Sequence, residues 1–394
     1  MKTAAHPGYK RKRPIGDPIA LPAGNPRFIP IPSQFQIPDG DLNMDLADVL
    51  GADQVKNIID AEKMIFHCVG DTGPIKGDSA IKPLAAQMEN EASESYFFYH
   101  LGDIVYYNGQ STMYDPQFYT YYDGYPGKIV AIPGNHDCST VVDKGDPADP
   151  EPSMTGFMLN FCAPAQVYHD QSSHRKNMDQ PWAYWTLNTP YATIIGLFSN
   201  YDGLLDPGND VTQYEWLVQQ LKKADVNKKL IITVHHPCFS LDAVEGGYPV
   251  ILNDLDHAFV ESKRYPDLVL SGHVHNYQRF TRTIPMEGGD KTIPYVIAGD
   301  GGYADTSATM HKLQKQADGA PYETDKIYNI DPSFLNNKTP IANFSLSLNN
   351  YNETEPGFLR ITIDVKNNKS FAEYITCPLD GDEGDVTTYD TFSF

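Results

Sequence analysis

Residues 268–279 read LVLSGHVHNYQR, an apolar run that ends in Gly272, His273, Val274 and His275. A short apolar run bounded by glycine is typical of a buried strand. Two imidazoles at alternate positions beyond its end can reach two neighbouring metal ions. Four more apolar runs end in polar motifs, which are Gly70-Asp71-Thr72-Gly73, Gly102-Asp103-Ile104-Val105-Tyr106, Gly134-Asn135-His136-Asp137 and Val234-His235-His236-Pro237. Together the five motifs decide the fold.

Strand and helix patterns alternate along the chain between these motifs. Strands are predicted at residues 64–69, 96–101, 128–132, 183–187, 192–198, 229–234, 268–271 and 295–298, with a hairpin at 358–365 and 371–376. Helices are predicted at 41–61, 79–92 and 211–224 from their apolar spacing. Strands that alternate with helices favour an α/β fold. Ligands of such sheets collect at the carboxyl ends of the strands, where every motif falls.

The motifs supply a ligand set for two metal ions that share one carboxylate. The candidate ligands are Asp71, Asp103, Tyr106, Asn135, His235, His273 and His275. Two metal ions ~3.5–4 Å apart are the usual device for in-line displacement at phosphorus. The sequence therefore predicts a metal-dependent phosphoesterase.

Four residues of the motifs need a choice of role. His136 follows a candidate ligand and could protonate a leaving group, and Asp137 could hold its imidazole in place. His235 and His236 are neighbours that point opposite ways on a strand, so only one can face a metal. At this point either His235 or His236 could face the metal.

Composition and charge limit the partners. The formal net charge of −21 disfavours long nucleic acid, which is bound through Lys and Arg, but leaves a small phosphorylated substrate possible. No apolar stretch reaches the ~18 residues that a membrane span needs. The five cysteines are an odd number without a C-x-x-C pair, so neither a disulfide framework nor a structural zinc site is expected. The oligomeric state stays open.

The ends of the chain differ from its middle. Residues 1–40 are rich in proline and are expected to form an extended arm. Residues 41–376 are expected to form the metal-binding domain, with 138–181 and 303–355 as possible substrate-shaping loops and 377–394 as a tail. The amino end lacks the apolar core of a signal peptide. We therefore expect a cytoplasmic location for the chain as given, or a secreted or periplasmic one if a signal was removed.

The order of the five motifs resembles that of the calcineurin-like metallophosphoesterase superfamily, and within it the purple acid phosphatase branch. The superfamily generally carries Asp-x-His at the first motif, where this chain has Gly73. Tyr106, three residues after Asp103, compensates as it does in purple acid phosphatases. Residues 272–279 also resemble the Gly-His-x-His-x-Tyr-x-Arg of that branch. The resemblance covers roughly residues 61–376.

This resemblance implies a fold of two sheets in a β-sandwich flanked by helices, with a binuclear metal site at the carboxyl ends of strands. The first metal site would use Asp71, Asp103, Tyr106 and His275, and the second Asp103, Asn135, His235 and His273. The tyrosine phenolate suits Fe(III), and the second site would take Zn, Mn or Fe(II). A hydroxide activated by both metals would attack phosphorus in line, and His136 would assist the leaving group.

Three functions follow from this resemblance. The leading expectation is an acid-phosphatase-like phosphomonoesterase. A phosphodiesterase acting on a small diester, such as a cyclic nucleotide or a glycerophosphodiester, is the alternative, since the same two-metal core serves both reactions. A non-catalytic metal-binding module is the third, but every candidate ligand and His136 are present.

Overall fold

The computed structural model describes residues 40–139, 151–163, 175–206, 211–303, 310–324, 326–332 and 339–394. In chain order, the strands of these residues are β1 (Asn43–Asp45), β2 (Lys63–Val69), β3 (Phe97–His100), β4 (Lys128–Ala131), β5 (Trp185–Asn188), β6 (Ala192–Leu197), β7 (Lys229–Val234), β8 (Leu268–Ser271), β9 (Tyr277–Ile284), β10 (Lys291–Ala298), β11 (Tyr328–Ile330), β12 (Ser345–Asn352), β13 (Gly357–Asp364), β14 (Lys369–Thr376) and β15 (Thr387–Ser393). The expected arm at 1–40 lies outside the described residues except for Gly40.

The helices occupy the connections between the strands. They are α1 (Leu46–Leu50), α2 (Ala52–Ala61), α3 (Ile81–Glu91), α4 (Thr120–Tyr122), α5 (Asn135–Cys138), α6 (Thr155–Phe161), α7 (Thr212–Lys223) and α8 (Pro249–Ser262). The predicted helix at 41–61 is two helices preceded by a short strand, because the chain turns at Gly51 with a φ of 88°. No helix of the described residues has the length and apolar character needed to cross a membrane.

The strands form two mixed sheets. One has the order β1-β5-β6-β7-β8-β10-β9-β12-β11 and the other β15-β14-β13-β2-β3-β4. In the first sheet β6, β7, β8 and β10 run parallel, and in the second β2, β3 and β4 do. The predicted α/β fold of two sheets flanked by helices is confirmed.

Buried side chains of the two sheets pack against each other. The ring of Tyr99 in β3 stacks on Trp185 in β5, and the Oγ1 of Thr233 in β7 donates to Tyr99 Oη at 3.0 Å. The Gly70 amide beyond β2 donates to Ala298 O at the end of β10 at 2.9 Å. The carboxyl ends of parallel strands from both sheets therefore meet at one edge.

Several segments expected to be loop or tail are regular structure. Helix α6 lies within 138–181, and β11 and β12 lie within 303–355. The segment 377–394 contains β15, which pairs antiparallel with β14 and extends the second sheet. Their alternating or polar sequences, such as SLSLNNYN in β12, lack the apolar runs from which the other strands were predicted.

Candidate metal centre

Three parallel strands of the second sheet present the first group of donors. Asp71 follows β2, Asp103 follows β3, and Asn135 follows β4 at the start of α5. Asp71 and Asp103 have positive φ angles of 59° and 53°, which cost non-glycine residues free energy and often occur at functional sites. All three side chains are buried.

The first sheet contributes the histidines from the opposite side. His235 follows β7 directly, and its Nε2 lies 3.1 Å from Asn135 Oδ1 and 3.3 Å from Asp103 Oδ2. His273 follows β8 and places Nδ1 2.8 Å from Asn135 Oδ1. Ligand atoms of Asp103, His235 and His273 all lie within 4.8 Å of one another. These donors, with the Asn135 oxygen, fit one cation.

A second group of donors lies around Asp71. Tyr106 Oη donates to Asp71 Oδ1 at 3.1 Å and lies 3.3 Å from His275 Nε2. The same His275 nitrogen is 3.5 Å from Asp71 Oδ1. The other carboxylate oxygen of Asp71 accepts the backbone N–H of His273 at 2.7 Å, which joins the two groups. A carboxylate, a phenol and an imidazole fit a hard trivalent or divalent cation.

The space beside Gly73 is filled by the side chains of Tyr106 and Gln117. A Cβ at Gly73 would lie 2.8 Å from Tyr106 Cδ2 and 2.7 Å from Gln117 Oε1. Gln117 in turn accepts from Tyr106 N and donates to Tyr106 O, both at 2.8 Å. The phenol therefore reaches Asp71 because position 73 has no side chain and Gln117 fixes the backbone.

Burial and like charges make the site electrostatically unfavourable without a cation. Burial, and the negative charge of Asp103, raise the pKa of Asp71 well above its usual range despite the attraction of His235. Burial also acts against the charged form of Asp103, but the attraction of His235 and His136 outweighs it and lowers that pKa. Burial disfavours the imidazolium of His235, yet the charges of Asp103 and Asp71 raise its pKa to about 9. A metal ion would relieve the same repulsion.

His136 and Asp137 have different partners from those expected. The Nδ1 of His136 lies 2.7 Å from the carbonyl oxygen of Tyr107, and its backbone N–H donates to Asp103 Oδ1 at 2.8 Å. Asp137 instead accepts backbone amides, from Gly134 at 2.8 Å and from Ile104 at 3.1 Å. The expectation that Asp137 holds the His136 imidazole is wrong, because a carbonyl occupies that ring nitrogen. Asp137 fixes the loop that carries Asp103 and Asn135.

The structure separates the roles of His235 and His236. His235 faces the donors, and its Nδ1 lies 2.8 Å from Leu101 O. His236 points away with Nδ1 2.7 Å from Ser199 Oγ, and its ring packs 4.3 Å from the His273 ring. His236 therefore supports His273 from behind.

The residues at the mouth of the site lie outside the five sequence motifs. Tyr303 donates its backbone N–H to Asp71 O at 3.0 Å, and its ring lies 4.5 Å from the Tyr106 ring and 4.1 Å from the His275 ring. Lys76 Nζ lies 4.5 Å from the centre of the Tyr303 ring. His311 packs 4.7 Å from His275. The Gly-Gly-Tyr turn at 301–303 was the one indication available.

The tyrosine and carboxyl groups behind His273 were also missed. Tyr248 Oη lies 2.9 Å from His273 Nε2, and Glu245 Oε2 lies 3.6 Å from the same nitrogen. Both belong to the segment between β7 and α8, which has no strand or regular spacing.

Comparison with known proteins identifies the class to which this fold and site belong. The family model of the calcineurin-like phosphoesterases matches residues 64–277, more than half of the chain. The chain therefore belongs to the calcineurin-like phosphoesterase family. Within the family it resembles the purple acid phosphatase branch, as the motif order predicts.

Three similar proteins illustrate this resemblance. Probable purple acid phosphatase 20 of Arabidopsis thaliana is 34% identical over 133 residues, which are 33% of this chain and 30% of that protein. Purple acid phosphatase 21 of the same plant is 27% identical over 187 residues, 45% of this chain and 37% of that protein. The structure of a purple acid phosphatase from yellow lupin (Lupinus luteus) seeds superposes with a TM-score of 0.53 at 17% identity, over 84% of this chain and 53% of that one. The matched part thus spans well under two thirds of each relative, and the lupin structure supports the fold alone.

Proposed function

We propose that the chain is a metal-dependent hydrolase of small phosphate monoesters. The observation that supports this most is the convergence of two donor groups at one edge, Asp71 with Tyr106 and His275, and Asn135 with His235 and His273. Asp103 lies beside the group of Asn135, His235 and His273, and its charge raises the pKa of Asp71 and Tyr106 in the other group. Asp103 is therefore the carboxylate suited to bridge two ions.

The residues present fit the metal pair that the family implies. Asp71, Asp103, Tyr106 and His275 would hold Fe(III), for which a phenolate is a suitable hard donor. Asp103, Asn135, His235 and His273 would hold Zn, Mn or Fe(II). When bound, two such ions supply positive charge that stabilises the attacking and leaving oxygens of an in-line displacement at phosphorus.

In this proposal, His136 gives a proton to the leaving oxygen. The Tyr107 carbonyl can only accept, so the His136 nitrogen that faces it, Nδ1, carries a proton. In the protonated ring, Nε2–H is then the donor available to a substrate. The hydrogen bond from the His136 amide to Asp103 fixes this residue beside the metal ligands, and its side chain is only partly buried.

The charge at the mouth favours a monoester over a diester. Lys76 is exposed and lies over Tyr303, which packs on Tyr106 and His275. A monoester carries up to two negative charges at neutral pH, whereas a diester carries one. A nearby ammonium group therefore attracts the monoester more strongly.

The test compares three substrates with the protein loaded with Fe(III) and Zn(II). We expect p-nitrophenyl phosphate and glycerol phosphate to be hydrolysed much faster than bis(p-nitrophenyl) phosphate. Replacing the proposed acid, His136→Ala, should lower kcat by about 10²–10⁴-fold for glycerol phosphate. The loss should be much smaller for p-nitrophenyl phosphate, because its leaving group needs little protonation. Asp103→Asn should lose bound metal and the hydrolysis of both monoesters.

Each other outcome contradicts a defined part of the proposal. Faster hydrolysis of the diester would replace the monoesterase by a phosphodiesterase. Two bound metals without hydrolysis of any ester would indicate a non-catalytic module. Equal losses on both monoesters in His136→Ala would remove His136 as the acid, and failure to bind metal would overturn the proposal as a whole.

A further inference from the structure

The two ring nitrogens of His273 have different surroundings. Nδ1 faces the donor group and lies 2.8 Å from Asn135 Oδ1. Nε2 faces away from it, 2.9 Å from Tyr248 Oη and 3.6 Å from Glu245 Oε2. The ring is thus held between the candidate second metal position and an outer pair made of a phenol and a carboxyl group.

In His235 it is Nε2, and not Nδ1, that faces the donor group. Its Nε2 faces Asp103 and Asn135, and its Nδ1 lies 2.8 Å from the Leu101 carbonyl oxygen. A carbonyl only accepts, so it favours the form of His235 that carries the proton on Nδ1 and leaves Nε2 for a metal. The partner of His273 is a tyrosine hydroxyl, which can donate or accept a hydrogen bond. It can therefore form a hydrogen bond with the His273 ring both when a metal is bound and when none is.

We infer that Tyr248 is a positioning residue for the second metal ion, acting through His273. When Nδ1 binds an ion, the remaining proton of the neutral imidazole lies on Nε2. Tyr248 Oη accepts that N–H, and the adjacent Glu245 carboxyl group favours the same arrangement. Outer partners of this kind orient a ligating histidine and raise its basicity, and their loss typically lowers metal affinity by about 10–100-fold. The inference rests on the proposed metal centre.

The surroundings of Tyr248 fix its ring independently of its hydroxyl group. Its backbone N–H donates to Pro237 O at 2.8 Å, directly before α8 begins at Pro249. The ring is buried and packs 4.5 Å from the His236 ring. On its other side it covers Gly203, where an added Cβ would collide with the ring. Tyr248→Phe therefore removes one hydrogen-bonding atom and leaves the packing in place.

The experiment measures Zn(II) binding to the full chain after complete metal removal. Titration with Zn(II) in a competing chelator gives two dissociation constants for the wild type. Tyr248→Phe should weaken one of them by about 10–100-fold and leave the other within twofold. In protein with ¹⁵N-labelled histidine and two Zn(II) bound, the Nε2–H of His273 should exchange with water faster in Tyr248→Phe than in the wild type.

Tyr351→Phe is the matched control. Tyr351 in β12 is also buried, and its hydroxyl donates to the Tyr322 carbonyl at 2.7 Å. Its removal should change neither constant. Equal Zn(II) constants in Tyr248→Phe and the wild type, or equal weakening of both constants, would overturn the inference while leaving the metal centre intact. A wild type that binds no Zn(II) would overturn both.

Discussion

Asp390 in β15 should be a main source of stability for the His-x-His motif. Its carboxylate accepts from Arg279 Nε at 2.7 Å, from Arg279 Nη2 at 3.1 Å and from Tyr277 Oη at 2.7 Å. Tyr277 begins β9 two residues after His275, so these bonds tie the end of the chain to the candidate metal ligands. The Arg279 side chain is 15% exposed and that of Asp390 is 7% exposed.

Asp390→Ala would leave the Arg279 charge largely buried without its partner. Removing one member of a buried ion pair costs about 3–5 kcal/mol. Water can reach Arg279 in part, so we expect a loss near the lower limit, about 3 kcal/mol, in the free energy of unfolding. Asp390→Asn keeps an acceptor oxygen but loses the charge, which roughly halves the strength of such bonds. Its loss should be about half as large.

Urea unfolding followed by far-UV circular dichroism measures both losses. Asp385→Ala is the control, because Asp385 is an exposed carboxylate in the same terminal segment, and such changes usually stay within about 0.5 kcal/mol. If Asp390→Ala unfolds at the same urea concentration as this control, the ion pair does not anchor the motif and the reasoning fails.

Three further changes test other parts of the structure. Gly73→Ala should lower the free energy of unfolding by about 1–3 kcal/mol through overpacking. It should also move Tyr106 away from Asp71, so the visible phenolate–Fe(III) absorption band expected of the iron-loaded protein should be lost. An unchanged band would contradict the packing argument. Burial, with the charge of Arg360, lowers the pKa of His67 to about 3. Between pH 6.5 and 3 the unfolded chain therefore binds a proton that the folded protein does not. As the pH falls through this range, the free energy of unfolding should fall by about 1.4 kcal/mol per pH unit. His67→Phe should remove that component from urea unfolding measured at pH 7, 6 and 5, and parallel pH curves for the two proteins would refute it. Removing metal with a chelator should lower Tm, because an ion at 100 times its Kd stabilises the native state by about 2.7 kcal/mol. Adding Zn(II) back should restore the original Tm. A Tm that does not respond to metal would contradict the proposed centre.

The strands that carry the motifs could be predicted because burial leaves a clear signal. β2 and β7 have buried residues at nearly every position, so they read as continuous apolar runs that end at a polar residue. The direction of parallel strands then brings those ends to one edge without further information. This is why Asp71, Asp103 and Asn135 could be grouped from sequence.

Strands with mixed polarity could not be predicted in the same way. β9 reads YQRFTRTI and includes Arg282, a fully buried residue whose guanidinium pairs with Asp256 at 2.6 Å and 2.7 Å. An arginine predicts an exposed position unless its partner is known, and this partner lies on α8, 26 residues earlier. β15 is similar, since its one buried carboxylate has its partners on β9. Pairings across the fold, rather than local pattern, place these strands.

The candidate metal ligands could be predicted from local sequence pattern, whereas most of the residues around them could not. Most of the candidate ligands come within a few residues of the end of a strand, and the two sheets approach closely at that edge. A Cβ at Gly272 would collide with Asp71, and one at Gly134 would collide with Asp103, so the glycines of the motifs record this close approach between chain segments far apart in sequence. Tyr248 and Lys76 reach the site from connecting segments outside the strands. The motifs therefore bring the candidate ligands together, and residues of the connections contribute to how those side chains are held.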